Sequence, residues 1–250
     1  MNAVDQALND LIIANRILSN ENVVDAYGHI SVRHPENPNR YFLARSLAPD
    51  LVQKEDILEF DLESNVMNGD KRPPYLERFI HGAIYEARPE IMSVVHAHAE
   101  ETLPFGITKD NKTPIRPVIH SGSFLGANIP IWDIHDHFGD TNLLVGNVAQ
   151  GRSLAKHLDQ GNVALMACHG FAAAGRSIIE VVRISVYLPR NARVMLNARQ
   201  LGSDLRYLTD GEIAARNSGY SPYSSETWRA WEYWANQAGV GKMLHKPDGV

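Results

Sequence analysis

The stretch RPPYLERFIHGAIYEARPEIMSVVHAHAE, residues 72–100, constrains the fold more than any other part of the chain. Its two prolines suit the first turn of a helix, where their missing N–H is not needed, and Arg88-Pro89 forces that helix to stop. IMSVVHAHA then reads as a strand, apolar except for Ser93, His96 and His98. A helix that leads straight into such a strand predicts a sheet with helices packed on its faces.

The remaining segments agree with that layout. Val4, Leu8, Leu11, Ile12, Ala14, Ile17 and Leu18 recur at helical spacing, so the chain opens with a helix over about residues 3–19. GHISVRHPENPNRYFLARS predicts two short strands around a Pro/Asn turn, and LVQKEDILEFDLESN a further turn and strand. RSLAKHLDQG predicts a short helix capped by Gly161, and NVALMACHG a strand ending on His169-Gly170. Ser177 with Glu180 three residues later reads as a capping box opening a long helix to about residue 199. No repeat, low-complexity tract or linker interrupts the sequence, so residues 1–250 are expected to form one α/β domain with an aromatic tail from about 201.

Charge and cysteine usage exclude several partners. A formal charge of −5 without any run of Lys or Arg gives no footprint for nucleic acid or an anionic membrane. No apolar run approaches the ~20 residues that cross a bilayer, and the acidic, amphipathic start is unlike a signal peptide, so a cytoplasmic protein is expected. The single cysteine, Cys168, has no internal disulfide partner and, in an apolar strand, reads as core.

Alternation along a strand places His96 and His98 on one face, where both rings can reach one ion. By themselves the two residues fit either a metal pair or two polar residues sharing a strand face. His169, at the end of another strand and before a glycine, would add a third imidazole. Three imidazoles with an open fourth position are a catalytic rather than a structural arrangement, and Glu77 on the preceding helix would supply an acid or base.

Taken in order, GHISVR (28–33), Glu77 with the helix and strand that follow, GRSLAKHL (151–158) and MACHG (166–170) resemble the class II aldolase/adducin family over about residues 5–200. That resemblance implies a three-layer α/β/α fold with a mainly antiparallel central sheet. It also implies His96, His98 and His169 as ligands of a divalent metal, Glu77 as the catalytic acid/base, and a homotetramer with sites between subunits. Zinc is the expected metal, with manganese, cobalt or iron as alternatives.

Departures from the family's sugar phosphate aldolases narrow the chemistry. Those enzymes hold phosphate with an asparagine where His29 stands, a Ser-Gly pair near Arg45-Ser46, and a Ser-Ser pair where Tyr75-Leu76 stands here. Tyr and Leu remove the small hydroxyls and exposed amides that suit a phosphate. Arg45 brings a planar fork suited to a carboxylate, or else a surface ion pair, and His29 a hydrogen-bond donor. The exchange resembles the branch that includes the dihydroxyphthalate and hydroxymethylpyridine dicarboxylate decarboxylases. It implies a hydroxylated aromatic or heteroaromatic acid, or a ring-cleavage dienoate, as the small-molecule substrate. His29, Arg45, Ser46 and His120 are the expected substrate contacts. A metal aldolase or epimerase on a non-phosphorylated hydroxy-keto acid or sugar is the alternative, and an adducin-like structural module the third reading. His135 and His137 are expected outside the metal shell, and His81, four residues after Glu77 and on the same helix face, either supports the site or is simply packed. Tyr220, Tyr223, Trp228, Trp231 and Trp234 are expected mainly in packing, with one tyrosine facing a neighbouring site.

Overall fold

The structure is a computed structural model that describes residues 1–67, 69–108, 114–202, 204–221 and 224–246. The first helix, α1 (Ala3–Asn20), is capped by the Asn2 side chain, which accepts from the Asp5 N–H, and it buries Leu11, Ile13, Ala14, Ile17 and Leu18. The strands are β1 (His29–Arg33), β2 (Arg40–Ala44), β3 (Ile57–Asp61), β4 (Ser93–Ala97), β5 (Ile131–Trp132), β6 (Val163–Met166) and β7 (Gly170–Gly175). The remaining helices are α2 (Phe79–Ala87), α3 (Leu103–Gly106), α4 (Ile134–Phe138), α5 (Val148–Leu158), α6 (Ile178–Arg199), α7 (Asp210–Asn217) and α8 (Ser225–Gln237).

The seven strands make one sheet in the order β3-β2-β1-β4-β7-β6-β5. Every neighbouring pair is antiparallel except β5–β6. Apolar side chains leave the sheet in both directions. Ile30, Val32, Val95, Ala97, Phe171 and Ala173 pack under α1, α6 and α8, whereas Val94, Ala172, Ala174 and Leu43 pack under α2 and α5. Both faces are therefore covered, and β1, β4, β6 and β7 are buried along their whole length. Each large apolar side chain so buried contributes about 1.5–3 kcal/mol, which is why β4, β6 and β7 are mostly apolar or small, whereas β1 alternates and turns His29, Ser31 and Arg33 to the opposite face from Ile30 and Val32.

Several local expectations are corrected. β6 stops at Met166, so His169 sits in the turn between β6 and β7 rather than on a strand. Cys168 is in that turn, exposed, with φ of 55°, and is not core. The left-handed residue after α5 is Asp159 (φ 47°), and Gly161 instead donates its N–H to Leu158 O at 2.8 Å. Ser177 caps α6 by accepting from the Glu180 N–H at 3.0 Å, but the Glu180 carboxylate accepts from the Arg176 N–H, so only half of the expected box forms. In the tail, Trp228, Trp231 and Trp234 are buried on α8, as expected of packing residues. Tyr220 lies under the Arg183 guanidinium at 5.6 Å, and Tyr223 falls outside the described residues. Among the described residues no helix is long and apolar enough to cross a membrane.

Candidate metal centre and active-site cavity

β1 and β4 pair so that His29 and His96 are direct partners across the ladder, on the sheet face covered by α2 and α5. Alternation then sends His98, one residue beyond the end of β4, to the same side. The His96 Nδ1 lies 3.0 Å from the Phe171 carbonyl. A carbonyl only accepts, so Nδ1 carries the proton and Nε2 presents a bare lone pair. His169 repeats the device: its Nδ1 donates to the Leu143 carbonyl at 2.9 Å, which frees its Nε2. His98 Nε2 stands 3.0 Å from His96 Nε2.

Glu77 arrives from the other side. It occupies the 3-10 turn Leu76–Arg78 that leads into α2, at φ −90° and ψ 18°. Its Oε1 accepts from the Val145 N–H at 3.0 Å, which aims Oε2 at 3.2 Å from His96 Nε2 and 3.4 Å from His169 Nε2. One ligand atom from each of Glu77, His96, His98 and His169 lies within 4.8 Å of all the others.

This donor set fits a divalent cation. Two deprotonated ring nitrogens and a carboxylate oxygen facing one another repel unless positive charge sits among them. The carbonyls behind the rings fix the tautomers that a metal needs. The same demand shows in the acid–base balance. Burial alone would raise the Glu77 carboxyl, but His96 and His169 outweigh it and hold it well below the usual carboxylate range. Burial pulls His169 down, yet Glu77 and the Leu143 carbonyl leave it raised. Burial, with His96 and His169 close by, pushes His98 down to about 4.

Two glycines in the matching motifs are there for clearance. A Cβ on Gly170 would stand 2.3 Å from Ala97 O and 2.9 Å from His98 Cδ2, so only glycine lets the β6–β7 turn close over β4. A Cβ on Gly151 would stand 2.3 Å from Phe79 O, where α5 crosses α2.

A cavity of about 420 Å³ opens beside the cluster, lined by Glu77, His98 and His169 together with His29 and Ser46. Tyr27, Leu47, Tyr75 and Leu76 supply its ring and apolar surface. His29 Nδ1 meets His81 Nε2 at 2.7 Å, and the His29 ring lies 4.5 Å from that of Tyr75. Burial pushes His81 down to about 3 and His29 well below its ordinary value, so both are neutral. Arg45 is not among the cavity-lining residues: its Nε is bound to Asp56 Oδ1 at 2.8 Å. His120 borders a different cleft, with Arg216 and Glu226. His135 and His137 are on α4 and outside the cluster, as expected.

Sequence reasoning missed the groups behind the cluster. The Leu143 and Phe171 carbonyls and the Val145 N–H are backbone atoms with no residue signature. Ser31 and Tyr85, which continue the contact from His81, read only as strand and helix core.

The model of the class II aldolase and adducin N-terminal domain matches residues 9–196, and the chain belongs to that family. Its curated relatives include the decarboxylase tropJ of Talaromyces stipitatus, 33% identical over 250 residues, covering 91% of this chain and 92% of that protein. The 3,4-dihydroxyphthalate decarboxylase of Arthrobacter keyseri is 24% identical over 230 residues, with 88% and 90% covered. Among solved structures, an aldolase II superfamily protein from Pseudomonas syringae superposes with a TM-score of 0.77 at 17% identity, covering 99% of this chain and 98% of the other.

Proposed function

We propose that this chain is a metal-dependent decarboxylase acting on a hydroxylated aromatic or heteroaromatic carboxylic acid, or on a ring-cleavage dienoate, in aromatic catabolism. The observation that carries the reading is the cavity itself. Glu77, His98 and His169 line it, with His96 buried behind them, and share it with Tyr27, Leu47, Tyr75 and Leu76, where a phosphate-binding member needs hydroxyls and free amides. The curated decarboxylases among its relatives support the same choice.

His96, His98 and His169 hold the ion, with zinc first among the candidates for such a set and manganese, cobalt or iron next. A bound divalent cation supplies Lewis-acid stabilisation of negative charge on the oxygen next to the carbon that loses carbon dioxide. His29 and Ser46 bind and orient the substrate, and Tyr75 closes one wall. Arg45, held by Asp56 outside the cavity lining, is not among the residues proposed to hold the substrate. When the C–C bond breaks, neutral carbon dioxide departs and the electron pair stays on carbon. Glu77, which rests ionised, takes a proton from solvent and passes it to that carbon, directly or through one water, so one proton is consumed per turnover. His120 borders a separate cleft and is not among the residues proposed to hold the substrate in this cavity.

Tyr27 and Leu76 are 71% and 64% exposed at the cavity although both are large and apolar. That exposure supports closure by another copy of the chain in a homotetramer. The lone Cys168, without a disulfide partner, supports a cytosolic location.

The test is carbon dioxide release by metal-loaded protein from a panel of ortho-hydroxy aromatic acids, hydroxypyridine carboxylates, dienoates and hydroxy-keto acids. Stoichiometric release abolished by a chelator supports the reading. Aldehyde or ketone fragments without carbon dioxide move the activity to an aldolase.

A further inference from the structure

We propose that Tyr85, Ser31 and His81 form a hydrogen-bond chain of fixed direction that makes His29 an Nε2–H donor into the cavity, so that His29 binds a substrate oxygen and neither ligates the metal nor acts as a base.

Three contacts build the chain: Tyr85 OH to Ser31 Oγ, Ser31 Oγ to His81 Nδ1, and His81 Nε2 to His29 Nδ1, each 2.7 Å. Any one of them alone runs in either direction. The far end removes the ambiguity. Tyr85 is 1% exposed, and among the described residues the side-chain contact of its hydroxyl is with Ser31. Buried in this way, the phenol proton has the Ser31 Oγ as its acceptor. The hydroxyl therefore donates to Ser31 Oγ, because the reverse strands a buried proton without an acceptor.

The remaining links follow one by one. Ser31 passes its own hydrogen to His81 Nδ1, and a ring that accepts there is neutral with its proton on Nε2. That N–H donates to His29 Nδ1, so by the same rule His29 is neutral and carries its proton on Nε2. His29 Nε2 has no hydrogen-bond partner among the described side chains, and the ring lines the cavity beside Glu77. The His29 and His96 rings are only 5.2 Å apart, yet an Nε2 that holds a proton has no lone pair to give a metal.

The electrical neutrality of this donor matters for the reaction, and this part rests on the decarboxylase reading. A carboxylate loses its charge as carbon dioxide leaves, so a full positive charge against it favours the ground state over the transition state. A neutral N–H orients the group with a smaller penalty. His81 and Ser31 are thus positioning residues for His29.

The direct test is neutron diffraction from crystals of the metal-loaded protein grown in D2O at neutral pH. The proposal expects deuterium on Nε2 of both His29 and His81 and on neither Nδ1; deuterium on His29 Nδ1 overturns it. Since this reading needs no turnover, deuterium on Nε2 in an enzyme that releases no carbon dioxide upholds the chain and counts only against decarboxylation. A second measurement uses Ser31→Ala, with metal content and melting temperature checking the fold. Salicylate should bind about tenfold more weakly to it at unchanged metal content, and equal affinity for the two proteins overturns the role of the chain.

Discussion

Glu77 and His169 meet at 3.4 Å through Oε2 and Nε2, one residue from the turn before α2 and the other from the β6–β7 turn. The contact joins a helix layer to the sheet at the point where the cavity opens. Glu77→Gln keeps an oxygen to accept from the Val145 N–H but has no proton to exchange. Turnover should fall about 10²–10⁴-fold while metal stays bound. Metal analysis and a carbon dioxide assay on the same sample check this, and an undiminished rate would remove Glu77 from the chemistry.

The ligand assignment has its own test. His169→Ala takes away a lone pair already aimed by the Leu143 carbonyl, from a partly exposed side chain, so the fold should survive. Metal affinity should fall by more than about 100-fold, beyond the effect of losing an outer partner. His137→Ala, on α4, is the matching control and should leave affinity unchanged. Competition with a chromogenic chelator reads both.

What the sequence showed about this site follows from what side chains can encode. The helix stop at Arg88-Pro89, the strand after it and the shared face of His96 and His98 were legible because proline chemistry and strand alternation act over a few residues. Glu77 and His169 could be joined to them through the family resemblance. The turn at Cys168 was not legible: Met166, Ala167 and Cys168 are apolar and continue the strand pattern, while the φ of 55° is set by the hairpin closing over β4. Arg45 fitted either a carboxylate fork or an ion pair, and the choice lay with Asp56, its partner across the turn before β3, which a linear pattern does not reveal. The sheet order likewise depends on pairings between distant segments.

A pH-dependent prediction comes from Asp10 on α1. Burial pushes its carboxyl up to about 6, against hydrogen bonds from Gln6 and Asn9 and the charge of His245. Its folded pKa lies above the unfolded value of 3.8, so the stabilisation is complete below that value and is lost as pH rises through about 6. Asp10→Asn has no such loss. The variant should be the more stable protein at pH 7.5, by about 1–2 kcal/mol, with the gap narrowing towards pH 5. Melting curves of the two proteins from pH 5 to 8 decide it, and a constant gap would refute it.

Gly170→Ala should damage the metal site without touching a ligand. The added methyl would sit 2.3 Å from Ala97 O and 2.9 Å from His98 Cδ2, and the first of these atoms is backbone in the middle of the sheet. Neither neighbour yields cheaply, because Ala97 is paired with Phe171 in the β4–β7 ladder. The turn must lift, carrying His169 away from Glu77 and pressing on His98. A stability loss of about 1–3 kcal/mol is expected from overpacking, together with weaker metal binding. Gly146→Ala is the control: its nearest neighbour, Gln150 Oε1, would be 3.9 Å away, an ordinary contact. Melting temperature with and without added metal separates the two effects. If Gly170→Ala is destabilised in the metal-free protein yet gains as much from metal as the parent chain, the clash is confined to the hairpin and the glycine does not position His98 and His169.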